Sequence, residues 1–417
     1  MTIATHRRSQ VNHVALAEAV APGSKRVANP RLKILFLCEG NAESWSSWSG
    51  ICKSLVDQLR TDGHTVEVGD VALQGFDRYV AAAATFSPQR HRWGTRYHLS
   101  TLPFRLRSRR ADRLVAARGQ RLDAIVQVGA TFQVHPAKGT PYFLCCDSNI
   151  GMAQHGARTG YSDAAPLTES EVEGIQRRER AVYRGAAGIF ALSERLRRSF
   201  VEDFGIPADR VRAIYAGPNF DPSRVVTASR TRPDGHPPTV LFVGLQFHRK
   251  GGDVLVESFR LVRMRLPTAE LLLAGVPVGQ VEGPGIRCLG ALDKNQPAGA
   301  AALAAAYASA DVFALPTRFE PFGIAFVEAM HFGLPCIGPR AWAVPEIIAD
   351  GETGFTVPAD DVDGLTDRLL RLLSDPTLAR TMGEAGRERA RRAFTWPHVV
   401  GRMVEVMAAT VQRQQPA

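Results

Sequence analysis

The sequence predicts an α/β protein made of two domains, each built on a parallel sheet. The chain has 417 residues, which is enough for two domains of ordinary size. Short apolar strand patterns alternate with helical patterns through both halves, as expected where helices connect parallel strands. Residues 219–238 lie between the two halves, and their four prolines indicate a linker.

The elements of the first half begin with a strand, a loop, a helix and a second strand. Helical patterns cover residues 50–61 and 168–184. The predicted strands are residues 32–38, 63–68, 123–128, 142–146, 188–193 and 212–215.

The second half repeats the alternation, and a final helix follows Phe394 to Pro397. Its predicted strands include residues 239–244, 270–275, 286–290 and 310–317. The predicted divisions of the chain are a disordered leader over 1–30, a first domain over 31–218, a linker over 219–238, a second domain over 239–395, and a C-terminal helix and tail over 396–417.

The composition excludes several classes of protein. With 45% hydrophobic and 22% charged residues, the chain is typical of a soluble globular protein. No apolar run approaches the roughly 20 residues that a membrane-spanning helix needs. The first residues lack the continuous apolar core of a secretory signal, so we expect a cytoplasmic protein. The six cysteines have no zinc-like spacing, which predicts reduced, buried thiols.

The net charge of +10 is concentrated in the first half of the chain. Residues 90–121 hold ten arginines against one acid, and apolar residues at helical spacing would leave Arg105, Arg109 and Arg113 facing outward. One interpretation is peripheral contact with an anionic membrane on its inner face, or attraction of an acidic substrate. The other is an amphipathic helix packed on the first domain with a solvated arginine face. No nucleic-acid partner is predicted.

Two glutamates, Glu320 and Glu328, stand eight residues apart across a predicted loop-to-helix junction. Glu320 follows the carboxyl end of a buried strand, which is where open α/β sheets bind ligands. The helix begins at Gly323, so its unpaired N–H groups suit a phosphate. The segment therefore offers a carboxylate for sugar hydroxyls, amides for a phosphate and a carboxylate for a ribose diol. The alternative is an ordinary strand-loop-helix unit with two solvated glutamates.

This segment resembles the Glu-x7-Glu signature of the retaining family-4-type glycosyltransferases, the glycosyl transferases group 1, which have the GT-B fold. The resemblance covers roughly residues 30–412. It implies two Rossmann-like domains facing a cleft, with a C-terminal helix that crosses back to the first domain. It also implies that Glu320 holds hydroxyls of the donor sugar. The donor-binding residues that it implies are Glu328, Phe322, Gly323, Ile324 and Gly290, the last at a strand end facing the nucleobase.

Arg249 and Lys250 follow the strand over 239–244 and precede two glycines that open a helix. The resemblance places this pair on the donor diphosphate, where fixed cations stabilise a leaving group without a metal. Many relatives carry the arginine directly after the strand-end glycine, where this chain has Leu245. The alternative for the pair is a solvated loop.

The acceptor-side candidates lie in the first half. Ser49 and Gly50 would let the backbone approach a ligand, while Trp48 either stacks on an acceptor or closes the core. Asp147 stands where many relatives have a histidine, and it either accepts hydrogen bonds from the transferred sugar or caps a helix. His155 is a further acceptor-side candidate.

The implied reaction is metal-independent transfer of a hexosyl group, with retention, from a nucleoside-diphosphate sugar to a glycan, a lipid-linked or a small-molecule acceptor. The catalytic candidates are Glu320, Arg249, Lys250 and Asp147, and no metal or cofactor is expected. An alternative enzyme on this scaffold is a nucleotide-sugar epimerase or a phosphorolytic enzyme, against which the glutamate pair argues. A non-catalytic partner that binds a nucleotide sugar or a glycan is the alternative from another class, and Leu245 and Asp147 keep it open.

Overall fold

The structure is a computed structural model that describes residues 30–118, 122–136, 139–220 and 235–414. All but the last residue of the predicted leader, most of the predicted linker and the last arginine of the 90–121 stretch lie outside these residues. The described residues form two compact domains. The first domain comprises the described residues of 30–215 and 396–414, and the second comprises the described residues of 216–395.

The first domain is built on a six-stranded parallel sheet, as far as the chain is described. Its strands are β1 (Lys33–Cys38), β2 (Thr65–Asp70), β3 (Ala124–Val128), β4 (Tyr142–Cys146), β5 (Gly188–Ala191) and β6 (Val211–Ala213). They lie in the order β2-β1-β3-β4-β5-β6. β3, β4 and β5 are buried along their whole length, as expected for parallel strands covered on both faces.

Helices connect these strands and cover the sheet. They are α1 (Ile51–Thr61), α2 (Gly75–Ala84), α3 (Arg90–Leu99), α4 (Thr101–Ala116), α5 (Ile150–His155), α6 (Glu169–Gly185) and α7 (Glu194–Glu202). α6 begins with a capping box in which Thr168 and Glu171 bond each other's backbone N–H groups, and this explains where the long helix starts.

The second domain repeats the design with another six-stranded parallel sheet among the described residues. Its strands are β7 (Thr239–Val243), β8 (Glu270–Ala274), β9 (Ile286–Gly290), β10 (Val312–Ala314), β11 (Cys336–Pro339) and β12 (Gly354–Val357). Its helices are α8 (Gly252–Arg265), α9 (Pro297–Ser309), α10 (Ile324–His331), α11 (Val344–Ile347), α12 (Val362–Ser374) and α13 (Pro376–Ala393). The strand order is β12-β11-β10-β7-β8-β9.

The strand order reverses beside the first strand of each sheet. β1 lies between β2 and β3, and β7 lies between β8 and β10. The loops that leave two such strands at their carboxyl ends turn to opposite faces and open a crevice in which α/β proteins bind ligands. The sheet topology therefore indicates one candidate crevice in each domain.

Strand β10 is shorter than the predicted strand over 310–317. Leu315 still donates its N–H to Ile337 O at 2.9 Å, but Pro316 has no N–H to give and the ladder ends there. β11 and β12 were not predicted. Cys336–Pro339 contains a glycine and a proline and Gly354–Val357 begins with a glycine, and these residues weaken a strand pattern.

The C-terminal helix, α14 (Trp396–Gln414), belongs to the first domain, as the resemblance implied. It packs on α1 and β5 through a buried face. Arg402 on this helix donates to Ile214 O at 3.4 Å and lies over the ring of Tyr215. In the part of the chain that the structure describes, no helix is long and apolar enough to cross a membrane. All six cysteines are free thiols, and five of them are buried.

Candidate functional site

The loops after β7 and β10 lie side by side because these two strands pair in register, with Val240 opposite Val312. We name residues 244–251 the β7 loop and residues 315–323 the β10 loop. Arg318 donates its backbone N–H to Arg249 O at 2.9 Å, and Arg249 Nη1 donates to Phe319 O at 2.6 Å. The backbones of the two loops are thus joined directly.

Gly251 is what permits this close approach. A Cβ atom at residue 251 would lie 2.0 Å from Pro316 O, and the residue has a φ of +70°. Only glycine meets both conditions at low cost. Gly251, the first glycine of the pair that the sequence analysis placed at the opening of a helix, therefore also lets the β7 loop pack on the β10 loop.

The ion pair between Lys250 Nζ and Glu320 Oε2 is the centre of the site. Both side chains are largely buried, with 15% and 7% of their surface exposed. Burial lowers the pKa of the Lys250 ammonium, and the neighbouring Glu320 carboxylate acts against that shift. The structure therefore brings together a cation and a carboxylate that the sequence analysis assigned to different parts of one donor.

Arg318 holds the two loops to the start of α8, a role that sequence reasoning missed. Its guanidinium makes two hydrogen bonds to Asp253 and a third, of 2.7 Å, to Asp360. Burial would raise the pKa of Asp253, but the hydrogen bonds and the charge of Arg318, together with smaller hydrogen-bond contributions, lower that pKa. Its position two residues before Glu320 is the sequence feature that could have identified Arg318 as a residue of the site.

Glu328 lies inside α10 and is only 2% exposed. Three donors reach its carboxylate: Lys294 Nζ at 2.6 Å, Tyr307 OH at 2.9 Å and the backbone N–H of Asn219 at 3.2 Å. Burial raises the pKa of the Tyr307 hydroxyl, and the Glu328 carboxylate raises it further. Lys294 and Tyr307 were not among the predicted site residues.

The remaining donor candidates lie at strand and helix ends of the second domain. Gly323 is the residue before α10, and Ile324 is the first residue of that helix. Phe322 is 3% exposed and packs against Phe394, so its side chain belongs to the core. Gly290 ends β9, and its carbonyl accepts the N–H of Gly275 at 2.8 Å.

Three of the acceptor-side candidates, Trp48, Ser49 and Gly50, lie at the crevice of the first sheet, where the loops after β1 and β3 meet. Trp48 and Ser49 both have left-handed backbone conformations, with φ of 49° and 54°, directly before Gly50 and α1. A Cβ atom at Gly129, after β3, would lie 2.8 Å from the Trp48 ring. Trp48 therefore packs on the neighbouring loop while Ser49 is exposed. Such strained residues are concentrated at functional sites.

Asp147 follows β4 and is half-buried. The helix-cap alternative for Asp147 is wrong, because the cap of α5 is Asn149, whose side chain accepts from Met152 N at 2.7 Å. His155 ends α5, is about half exposed, and lies 3.4 Å from Asp203 Oδ1.

A buried ion pair in the same crevice was also missed. Glu39 follows β1, and its Oε2 lies 2.8 Å from Nε of Arg107, whose side chain is fully buried. Arg107 also donates to the carbonyls of Tyr97 and His98. The sequence analysis treated all arginines of the 90–121 stretch as one positive surface. It missed Arg107 because the sequence alone does not distinguish a buried arginine from its exposed neighbours.

The aspartates over 360–363 take structural roles. Asp361 accepts the N–H of Gly364 at 2.8 Å as the cap of α12, and Asp360 bonds Arg318. Within the described ranges, no group of three His, Cys, Asp or Glu side chains is arranged to hold a metal ion.

The two Rossmann-like domains place the protein in the class of proteins with the GT-B fold. Sucrose-phosphate synthase from Thermosynechococcus elongatus superposes with a TM-score of 0.65 at 21% identity, covering 90% of this chain and 98% of the other. The family model described as glycosyl transferases group 1 matches residues 237–375. The second domain thus belongs to the group 1 glycosyl transferases, and the chain has the GT-B fold.

Two mycobacterial proteins are among the similar sequences. A GDP-mannose-dependent alpha-(1-6)-phosphatidylinositol monomannoside mannosyltransferase of Mycolicibacterium smegmatis is 32% identical over 192 residues, 43% of this chain. A phosphatidyl-myo-inositol mannosyltransferase of Mycobacterium tuberculosis is 33% identical over 261 residues, 59% of this chain. The chain spans 50% and 65% of the length of these relatives.

Proposed function

We propose that the protein is a retaining glycosyltransferase that moves a hexosyl group from a nucleoside-diphosphate sugar to an acceptor hydroxyl. The observation that carries the proposal is the Lys250–Glu320 pair at the crevice of the second sheet. A buried cation beside a buried carboxylate suits a ligand that carries phosphate and hydroxyl groups next to each other. The two similar mycobacterial sequences support the proposal, because both names describe mannosyl transfer and one of them gives GDP-mannose as the donor.

The residues of the second domain take defined roles in this proposal. Lys250 and Arg249 stabilise the charge that develops on the diphosphate, and the N–H groups that begin α10 at Gly323 add to this field. Glu320 accepts hydrogen bonds from the donor sugar. Glu328 accepts from the ribose, and the backbone at Gly290 faces the nucleobase.

Transfer with retention follows from attack on the face that the leaving group occupies. The bond between the anomeric carbon and the diphosphate oxygen breaks, and the acceptor oxygen forms the new bond to that carbon. The acceptor proton passes to an oxygen of the departing diphosphate, so the products are a glycoside and a nucleoside diphosphate. Asp147 in the first domain is the proposed acceptor of a hydrogen bond from the transferred sugar.

We propose metal-independent turnover without a cofactor, because Arg249 and Lys250 already stand where a charge-neutralising group is needed. Activity is expected to survive a strong chelator. Loss of activity on chelation, restored by magnesium or manganese, would contradict this part of the proposal.

We propose that the acceptor binds the first domain near Trp48, Ser49, Gly50 and His155, and that it is lipid-linked, as the names of both mycobacterial relatives suggest. The exposed arginines at 105, 109 and 113 on α4 favour peripheral contact with the anionic inner face of a membrane, from the cytoplasmic side. α2 contacts α4 and leaves Phe76 and Tyr79 81% and 73% exposed, which adds apolar side chains suited to a lipid surface.

A donor screen tests the proposed function directly. Purified protein is mixed with GDP-mannose, UDP-glucose, UDP-N-acetylglucosamine and ADP-glucose, and the midpoint of thermal unfolding is recorded. A stabilising donor is then supplied in labelled form with a lipid extract, and release of the nucleoside diphosphate is followed. A binding module would protect the donor without releasing nucleoside diphosphate. An epimerase would convert the donor sugar without an acceptor.

A further inference from the structure

Lys294 stands in the loop after β9, and its ammonium lies 2.6 Å from Glu328 Oε1. Its side chain is 23% exposed, whereas that of Glu328 is 2% exposed. The lysine therefore covers the carboxylate from the side nearest to solvent. Tyr307 and the backbone N–H of Asn219 hold the carboxylate from within the protein.

The choice of lysine at residue 294 is unusual for this chain. Among its 51 basic residues, 45 are arginines and only six are lysines. Two of these six lysines, Lys250 and Lys294, contact the two glutamates of the Glu-x7-Glu segment. An ammonium is a compact point charge on a flexible stem, whereas a guanidinium is a broad, flat fork. The compact ammonium of Lys294 can therefore share the Glu328 carboxylate with another group, whereas a guanidinium fork would cover more of it.

We propose that Lys294 is a donor-binding residue that reads the ribose together with Glu328. The inference rests on the proposed function and adds a residue to its site. The ammonium stays on Glu328 when the donor binds and donates a hydrogen bond to the 2′-oxygen of the ribose. Glu328 accepts a hydrogen bond from the same diol. The ammonium stays because a buried carboxylate that loses its cation is left uncompensated.

The first experiment measures binding of GDP, UDP and ADP, and of their 2′-deoxy forms, to the wild-type protein and to Lys294→Met by calorimetry. The wild-type protein is expected to bind its preferred ribonucleotide at least about tenfold more tightly than the 2′-deoxy form, the range for a charge-assisted hydrogen bond. Lys294→Met is expected to weaken the ribonucleotide by a similar factor and to bring the two forms within about threefold. Lys53→Met is the matched control, since Lys53 pairs with Asp57 on α1 and is 24% exposed.

A second experiment needs no variant and decides the question if Lys294→Met does not fold. The wild-type protein is treated briefly with acetic anhydride, and acetylation of Lys294 and Lys53 is compared by mass spectrometry. A saturating ribonucleotide is expected to slow acetylation of Lys294 at least about fivefold. This is less than the about tenfold change expected in binding affinity. The 2′-deoxy form is expected to protect less, and Lys53 is expected to label equally throughout.

The outcomes separate this inference from the proposed function. If the wild-type protein binds none of the three ribonucleotides, the proposed function is overturned. If it binds one of them, and Lys294→Met binds both sugar forms as the wild-type protein does, Lys294 does not read the ribose. Labelling of Lys294 that is the same with and without a saturating nucleotide would overturn the inference in the same way.

Discussion

Arg318 binds Asp253 through both of its terminal nitrogens, with 2.8 Å from Nη1 to Oδ1 and 2.9 Å from Nη2 to Oδ2. Asp253 lies in the first turn of α8, and Arg318 lies two residues before Glu320. This one side chain ties the helix that follows Lys250 to the loop that carries Glu320. The geometry of the Lys250–Glu320 pair therefore depends on Arg318, which itself is not expected to touch a donor.

Arg318→Lys is expected to lower turnover by about tenfold to a hundredfold, because an ammonium cannot make two parallel bonds to Asp253. The measurement is steady-state release of nucleoside diphosphate from the identified donor. Arg287→Lys is the control, because the Arg287 side chain is 63% exposed and makes only a long contact, 3.6 Å from Nη1 to Glu270 Oε2. Equal turnover for Arg318→Lys and the control would show that the Arg318–Asp253 pair does not position the site.

Lys250→Met is expected to lower turnover by about tenfold to a thousandfold and also to destabilise the second domain. The stability loss arises because Glu320 would be left buried without its cation. Adding Glu320→Gln to Lys250→Met is expected to restore much of the stability but none of the activity. Urea unfolding and donor turnover, measured on both variants, check this. A double variant that regains activity would remove both residues from the site.

Arg249→Ala tests the second cation by itself. Turnover is expected to fall by about tenfold or more with the fold intact, since the guanidinium contacts loop backbone and is partly exposed. The measurement is turnover at saturating donor alongside far-ultraviolet circular dichroism. Unchanged turnover would show that Lys250, and not Arg249, stabilises the diphosphate.

Gly251→Ala is expected to destabilise the second domain by roughly 2–4 kcal/mol, because a Cβ atom would lie 2.0 Å from Pro316 O. Gly279→Ala separates this clash from backbone strain. Gly279 has a similar φ of +80°, but nothing lies within 4 Å of its added Cβ atom, so about 1 kcal/mol is expected. Urea unfolding of both variants supplies the comparison. Equal losses would mean that the loops separate readily at Gly251.

Glu179 makes the stability of the first domain depend on pH. Burial raises the pKa of this carboxyl on α6 to about 7, although its Oε2 accepts the N–H of Ile150 at 3.0 Å. Since the folded state holds the proton more tightly than the unfolded state, the stabilisation is complete below the ordinary pKa. It is lost as the pH rises from about 4.5 to about 7.

Glu179→Gln removes this titration. Relative to the wild-type protein, the variant is expected to gain up to about 3 kcal/mol as the pH rises from 5 to 8. Urea unfolding at a series of pH values measures the difference. A difference that stays constant over this range would show that Glu179 does not titrate there.

How far the candidate site followed from the sequence depends on the range of each interaction. Glu320, Gly323 and Glu328 were placed correctly around the start of α10, because they lie within nine residues of one another and a local pattern contains them. Lys294 and Arg107 were not found. Their partners are 34 and 68 residues away in the chain, and no periodicity connects such positions.

The sequence by itself determined where β1 to β10 and several of the helices lie, and that carboxylates and cations follow the strands over 239–244 and 310–317. Apolar periodicity and turn residues act within a few positions, so they are readable locally. The tertiary structure alone decided that β7 and β10 are neighbours, and hence that Lys250 meets Glu320 across 70 residues of chain. Strand order depends on the packing energy of the whole sheet. That energy is distributed over contacts between distant segments, so no single segment determines it.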